Sequence, residues 1–449
     1  MRNKPKSIIK TAILLLLLAT GLGCKKYLDE KPDQKLATIQ TTDDMQALLD
    51  YYLKMNFADP SVANACVDDY YVTNEVFASR PVEEQNMYLW KGDHNFGASS
   101  SQWFSPYEII YICNSVLDAL NKLEPSATTS HIKAQALFQR GRSFLNIIGI
   151  WTKPYNAATA ATDLGIPLRV DANFNVVSIR ATLTESYEQV LTDLQTALPF
   201  LPAKEISAVR PSKGAAYGIL SRAYLQMRDY SHATLYADSA LQVQNTLIDY
   251  NTLTASANFP IVQQNVEVLF DSRAPTVTIS SQTRALINPD LYSLYSTNDL
   301  RKTVFFKASG TAYIFKGYYA GAASVFNGIA TDELLLTRAE GYARANKLDR
   351  ALADLNNLLI NRYKKGTFTA YANLSQTALL TLIKVERRKE LIMRTLRWVD
   401  LKRWNMEGDG IVMSRTINGE QTVLQPNSLR YALPIPEDVI VLSGMQQNP

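Results

Sequence analysis

Apolar positions recur at helical spacing over most of the chain, and two stretches superimpose without a gap. In the first, Tyr217, Leu220, Ser221 and Tyr224 share a face, and Ala233, Ala237 and Ala240 follow on a second helix. In the second, Leu335, Ala339 and Tyr342 precede Ala351, Leu355 and Leu358. Nine residues separate the Tyr from the first Ala of the second helix in both. Bulky, apolar, small and aromatic positions followed by a helix of small residues make the pattern of a tetratricopeptide hairpin. The small residues let paired helices approach closely, while Tyr224 and Tyr342 are expected to fill the seam.

A broken copy is predicted with Leu137, Gly141 and Phe144 on its first helix and Ser186 to Leu201 as its second, split by a long insertion from Trp151 to Thr184. A fourth helical pair includes Leu379 to Trp404, where Ile392, Leu396 and Val399 make an apolar stripe and Glu390 stands one turn before Arg394. Such hairpins stack because none buries its apolar face alone. The pattern therefore predicts a mostly α protein, with tetratricopeptide-like hairpins at about 131–150, 184–245, 331–362 and 377–404 packed against an irregular lobe. That lobe covers about 60–105 and 250–330, with a few short strands such as Val266 to Phe270.

The N-terminus follows a different rule. A basic stretch ending at Lys10 precedes the apolar run Ile13 to Ala19, and Gly21-Leu22-Gly23 lead into Cys24. That is the plan of a secretory signal, and the run is too short to span a bilayer. A Cys directly after it resembles a bacterial lipobox, so residues 1–23 are expected to be removed and Cys24 to carry the N-terminal lipid. Diacylation with an N-acyl chain buries enough methylenes for durable anchoring. Residues 24–36 then form a polar tether to one domain over 24–449. Two cysteines remain. Cys66 and Cys113 are open to a disulfide in an oxidising compartment, but Cys113 shares a helical face with Ile109, Ile110 and Val116, which favours a packed free thiol.

The formal charge of +4 shrinks once the signal is removed. Four of the 46 Lys and Arg residues lie in the first 23 positions and no acid does, leaving 42 bases against 42 acids. A neutral mature chain excludes nucleic acid as a partner, since that backbone is bound through clustered positive charge.

Several fragments, in order, carry a resemblance: Cys24-Lys-Lys-Tyr-Leu-Asp-Glu-Lys-Pro, Trp103-x3-Tyr107-x2-Ile110-x3-Asn114, Arg210-Pro-Ser-Lys-Gly-Ala-Ala, and Asp332-Glu-Leu-Leu-Leu-Thr-Arg-Ala-Glu340. Glu386-Arg-Arg-Lys-Glu-Leu391, Arg397-Trp-Val-Asp-Leu-Lys-Arg-Trp404 and Leu433-Pro-Ile-Pro436 complete it. Together they resemble the SusD/RagB family of outer-membrane nutrient-binding lipoproteins. The resemblance implies a lipid-anchored protein on the outer membrane, facing the cell exterior. It would cap a SusC-like TonB-dependent transporter and hold an oligosaccharide, glycan fragment or peptide for uptake. A solenoid adaptor without a small-ligand site is the rival reading. Arg387, Arg388, Arg397 and Asp400 are read as ion pairs locking the last helices to the repeats.

No catalytic signature accompanies these motifs. His94, His131 and His232 have no partner at zinc-ligand spacing, and no phosphate loop or nucleophile elbow occurs. Asp68-Asp69 and Glu83-Glu84 are adjacent acids without an assembled acid, base or nucleophile around them. The expectation is a protein that is not an enzyme, with no metal and no cofactor beyond the lipid on Cys24. Aromatics say more. Tyr occurs 24 times, and the stretch from Asp68 to Trp103 mixes rings with polar side chains, a lining that suits the apolar faces and hydroxyls of sugars and also suits peptides. By the resemblance, the family's ligand loops precede the Trp103-x3-Tyr107 helix. Expected ligand-binding residues are Asp69, Tyr71, Arg80, Tyr88, Trp90 and Asn95. Tyr318 and Tyr319, from the second aromatic run Tyr313-Ile-Phe-Lys-Gly-Tyr-Tyr, are expected in the opposite wall.

Overall fold

Several of the helices start where the sequence supplies a side-chain cap for otherwise unpaired backbone N–H groups. The computed structural model describes residues 39–92 and 102–448, and residues from Thr41 on form one compact unit. Cys24, the tether and Asn95 lie outside the described residues. Thr41 and Asp44 close a capping box on α1 (Thr42–Leu49), and α2 (Phe104–Leu120) follows. Ser126 caps α3 (Ala127–Trp151) and Thr182, with Glu185, caps α4 (Leu183–Ala197). Ser212 caps α5 (Lys213–Gln226) and Asp229 caps α6 (Tyr230–Val243). Later come α7 (Thr331–Arg344), α8 (Leu348–Ile360), α9 (Gln376–Glu390), α10 (Arg397–Met406) and α11 (Glu437–Ser443).

The helices pack in chain order as hairpins: α2 on α3, α3 on α4, α5 on α6, α6 on α7, then α7 on both α8 and α9. The two copies read from sequence match in detail. The residue four beyond each seam Tyr, Arg228 or Asn346, takes a left-handed backbone, and the amide after it donates to the carbonyl of Tyr224 or Tyr342. Ala233, Ala237, Ala240 and Ala351 are all buried. Tyr224 stacks on Tyr236 at 5.5 Å within the seam. Tyr342 is only half-buried, with the guanidinium groups of Arg338 and Arg350 at 6.0 and 5.7 Å from its ring centre. Close approach explains two glycines. A Cβ on Gly141 would stand 3.0 Å from the Asp193 Cβ, so α4 sits directly on α3, as the broken repeat requires. A Cβ on Gly341 would meet the Thr234 side chain at 1.7 Å, which fixes the distance between α6 and α7.

The lobe is irregular. Its sheets are short antiparallel pairs: Tyr70–Tyr71 with Leu286–Ile287, Val268–Phe270 with Ile329–Ala330, Arg273–Ala274 with Val325–Phe326, and Phe306–Ser309 with Ala312–Phe315. The insertion after α3 folds back through Leu164–Pro167 paired with Arg180–Thr182. A hairpin of Met413–Ile417 and Glu420–Leu424 follows α10. Cys66 and Cys113 are free and buried, and burial pushes both thiols up to about 12.

Buried charges join these parts. Arg387 donates to Asp400 at 2.8 Å, Arg403 to Asp400 and Glu340, and Arg397 to Asp68. The late motif is thus an ion-pair lock. One expected pair does not form. Glu390 ends α9 and the chain turns at Met393, whose φ is 57°, so helical one-turn spacing is lost. Glu390 instead accepts from Arg301 and Arg362, and Arg394 binds Asp332.

Candidate ligand-binding surfaces

The strand pairing Tyr70↔Ile287 and Tyr71↔Leu286 brings the two sequence-distant halves of the lobe together, and Leu286–Ile287 in turn packs on Ala312–Phe315. The expected site residues then separate into two groups. Tyr71 is exposed on this face, and Arg80 is half-exposed with its guanidinium donating to Ser79 Oγ. The other described ones, Asp69, Tyr88, Trp90, Tyr318 and Tyr319, are inside. Asp69 is buried and accepts from Arg388 at 3.1 Å.

Tyr88 and Trp90 are corrections to the expectation of outward rings. Trp90 is 6% exposed, and its indole N–H donates to the Cys66 carbonyl at 2.8 Å. Arg415, from the hairpin after α10, lies 3.5 Å from the Tyr88 ring centre and 4.7 Å from that of Trp90. The same guanidinium donates to the carbonyls of Ala65, Val67 and Tyr88. These rings surround a buried cation, where stacking against positive charge replaces stacking against a ligand.

Tyr318 and Tyr319 are corrected for the same kind of reason. The Tyr319 hydroxyl donates to Glu267 at 2.8 Å and Arg394 lies 4.0 Å from its ring centre. Tyr318 packs edge-on against Phe315 at 4.8 Å. Two further lobe rings remain partly open to solvent: Tyr292 and Tyr313, stacked at 3.8 Å with 14° between planes and both half-buried. Burial and the hydrogen bond with Tyr313 push the Tyr292 hydroxyl up. The Lys302 ammonium lies 4.8 Å from the Tyr292 ring centre. Tyr313 belongs to the aromatic run read from sequence, but Tyr292 had no sequence signal beyond being aromatic.

A cavity of about 500 Å³ lies elsewhere, between the start of α2, the insertion and α11. One wall is Trp103, Tyr107 and Tyr111; the facing wall includes Phe174, Val177 and Leu442. Phe174 closes on Tyr111 at 4.7 Å. The Trp-x3-Tyr-x2-Ile-x3-Asn motif builds this arrangement. The Tyr107 hydroxyl donates to the Pro167 carbonyl at 3.0 Å, and Asn114 Nδ2 donates to the carbonyls of Arg169 and Asp171. Asn114 Oδ1 accepts from Arg140, which is itself held by Asp193. The motif thus pins the insertion onto the helix. Among the described residues, no group of three His, Cys, Asp or Glu side chains could hold a metal ion, and no helix is long and apolar enough to cross a membrane.

The structure is a helical-repeat scaffold carrying an irregular lobe with part-exposed aromatic rings. The family model described as starch-binding associating with outer membrane matches residues 26–225, and that of the SusD family matches residues 331–449. The chain belongs to the SusD family. No curated protein matches it. Among solved structures, a SusD superfamily protein from Bacteroides thetaiotaomicron is similar at a TM-score of 0.73 and 19% identity, covering 91% of this chain and all of its own. A putative sugar binding protein from Bacteroides vulgatus gives 0.74 and 20%, covering 92% and 99%. A laminarin binding SusD-like protein gives 0.66 and 17%, covering 90% and 97%.

Proposed function

We propose that this protein captures carbohydrate at the cell surface, on the lobe face that carries Tyr71, Tyr292 and Tyr313, and passes it to a SusC-like TonB-dependent transporter. The observation that carries the reading is the Tyr292–Tyr313 stack, Tyr313 lying on a strand that packs against Leu286–Ile287, the partner strand of exposed Tyr71. A sugar ring lies on an aromatic plane through its apolar face and needs polar neighbours for its hydroxyls, and Arg80 and Lys302 belong to the same lobe. Solved relatives named as sugar and laminarin binding support carbohydrate over peptide. The lipid on Cys24 would hold the protein on the outer membrane, outside the cell, as the signal and lipobox pattern implies. Binding, not catalysis, is the activity.

The test is a glycan-array and peptide-pool screen on soluble protein lacking residues 1–24. Saturable binding of one oligosaccharide class with no peptide hit supports the reading. Selective peptide capture would favour uptake of peptides, and silence on both would favour a protein-interaction adaptor.

A further inference from the structure

We infer that the cavity between α2, the insertion and α11 is a second binding site, distinct from the carbohydrate face, and that it takes a neutral apolar group such as an alkyl chain or aryl ring.

Its size is that of small-ligand pockets, about 500 Å³, and such pockets are mostly apolar with a few oriented polar groups. Here most of the inner polar groups of the wall are already engaged within the protein. Asn114 is held at both ends of its amide, and Tyr107 donates to Pro167. Arg169 donates to the Val176 carbonyl at 2.6 Å and to Ser178 Oγ at 3.1 Å, and Ser443 Oγ donates to the Val439 carbonyl. A sugar entering this space would place hydroxyls against walls with few free donors or acceptors, and an unpaired buried hydroxyl is costly. An apolar group meets no such penalty and gains aromatic contact from Tyr107, Tyr111 and Phe174.

The rim points the same way. Phe174 is 76% exposed and Leu442 87% exposed, and Val177, Ile179 and Val441 beside them are also largely exposed. Contiguous apolar side chains around an opening mark a surface that is covered in use. The charges at the mouth offset each other: Asp171, about half exposed, stands 4.0 Å from the Arg169 guanidinium and accepts from the Asn173 amide at 2.8 Å. A mouth with its charges paired offers no net attraction to a charged head group, and a neutral amphiphile is the better fit.

The probe is N-phenyl-1-naphthylamine, titrated into protein lacking residues 1–24 with emission excited through tryptophan, since Trp103 lines the cavity and Trp151 lies 5.0 Å from it. Saturable one-to-one binding is expected. Val177→Asp and Leu442→Asp, both at exposed positions and so compatible with folding, should weaken it about tenfold or more, because a charge is placed against the apolar probe. Val423→Asp, an exposed apolar position on the hairpin after α10, should leave it unchanged. Competition by 1-decanol against 4-phenylbutanol tells whether chain or ring is the natural group. No saturable binding, binding untouched by both Asp variants, or displacement by maltotriose but by neither alcohol would overturn the inference. Because the array screen reads glycan capture on the other face, the two proposals fail independently.

Discussion

Arg397 closes two 2.8 Å hydrogen bonds on the Asp68 carboxylate across 329 residues of chain. The contact ties α10 to the loop that opens the lobe, and Arg388 donates to the Asp68 carbonyl at 3.1 Å beside it. Burial pushes the Asp68 carboxyl up, but the two guanidinium groups outweigh it and hold the carboxyl well below its usual range. Leaving either partner alone strands a charge in a poorly hydrated place. Arg397→Met should therefore cost about 2–4 kcal/mol in urea unfolding, somewhat below a fully buried pair because Asp68 keeps some solvent contact. Arg397→Met with Asp68→Asn should lose less than the two single changes added together. Additive losses would show that the contact is not coupled.

Ala351 faces the seam between α7 and α8 with no exposed surface. Ala351→Leu should overpack that seam and lower stability by about 1–3 kcal/mol. An unchanged denaturation midpoint would remove Ala351 from the contact.

The repeats were legible because their signal is local: the spacing from Tyr224 to Ala233 recurs from Tyr342 to Ala351, and both turn at the same offset. The ion-pair role of Arg387, Arg397 and Asp400 was legible because charged residues at helical spacing in an apolar context need partners. The direction of the lobe rings was not. Trp90 and Tyr88 sit in a polar, loop-rich stretch, and what turns them inward is Arg415, more than 300 residues later. No local pattern encodes that encounter. The cavity escaped for a related reason: its walls come from α2, the insertion and α11, and the motif at Trp103 to Asn114 read only as helix. The hint was the run of apolar residues at Val170, Phe174, Val176, Val177 and Ile179 in a segment with no helical spacing.

Burial of Trp90 gives a sharp expectation. Trp90→Ala should lower stability by about 3–5 kcal/mol, as large-to-small core changes do, with glycan affinity of the remaining folded protein little changed. A fully stable variant that has lost glycan binding would return Trp90 to the ligand face.

Lys402 donates to the carbonyls of Gly149 and Thr152 at 2.7 and 2.8 Å, near the end of α3, and burial pushes its amine down to about 7. A base whose folded value lies below its unfolded value near 10.4 is bound by more protons in the unfolded chain between those limits. Its contribution to stability therefore rises with pH above 7. Wild-type unfolding free energy should increase from pH 7 to pH 9 relative to Lys402→Met, by up to about 1.4 kcal/mol per pH unit. Parallel profiles for the two proteins would mean that Lys402 does not titrate there.

Capture of carbohydrate on the Tyr71, Tyr292 and Tyr313 face is the central claim, and Tyr313 is its most direct probe because it is half-buried and sits on an edge hairpin. The decisive measurement is calorimetric affinity of wild type and Tyr313→Ala for the oligosaccharide that the array selects. A loss of about 1–3 kcal/mol in binding, with melting nearly unchanged, is the predicted result. Unaltered affinity in a fully folded Tyr313→Ala protein would contradict the account.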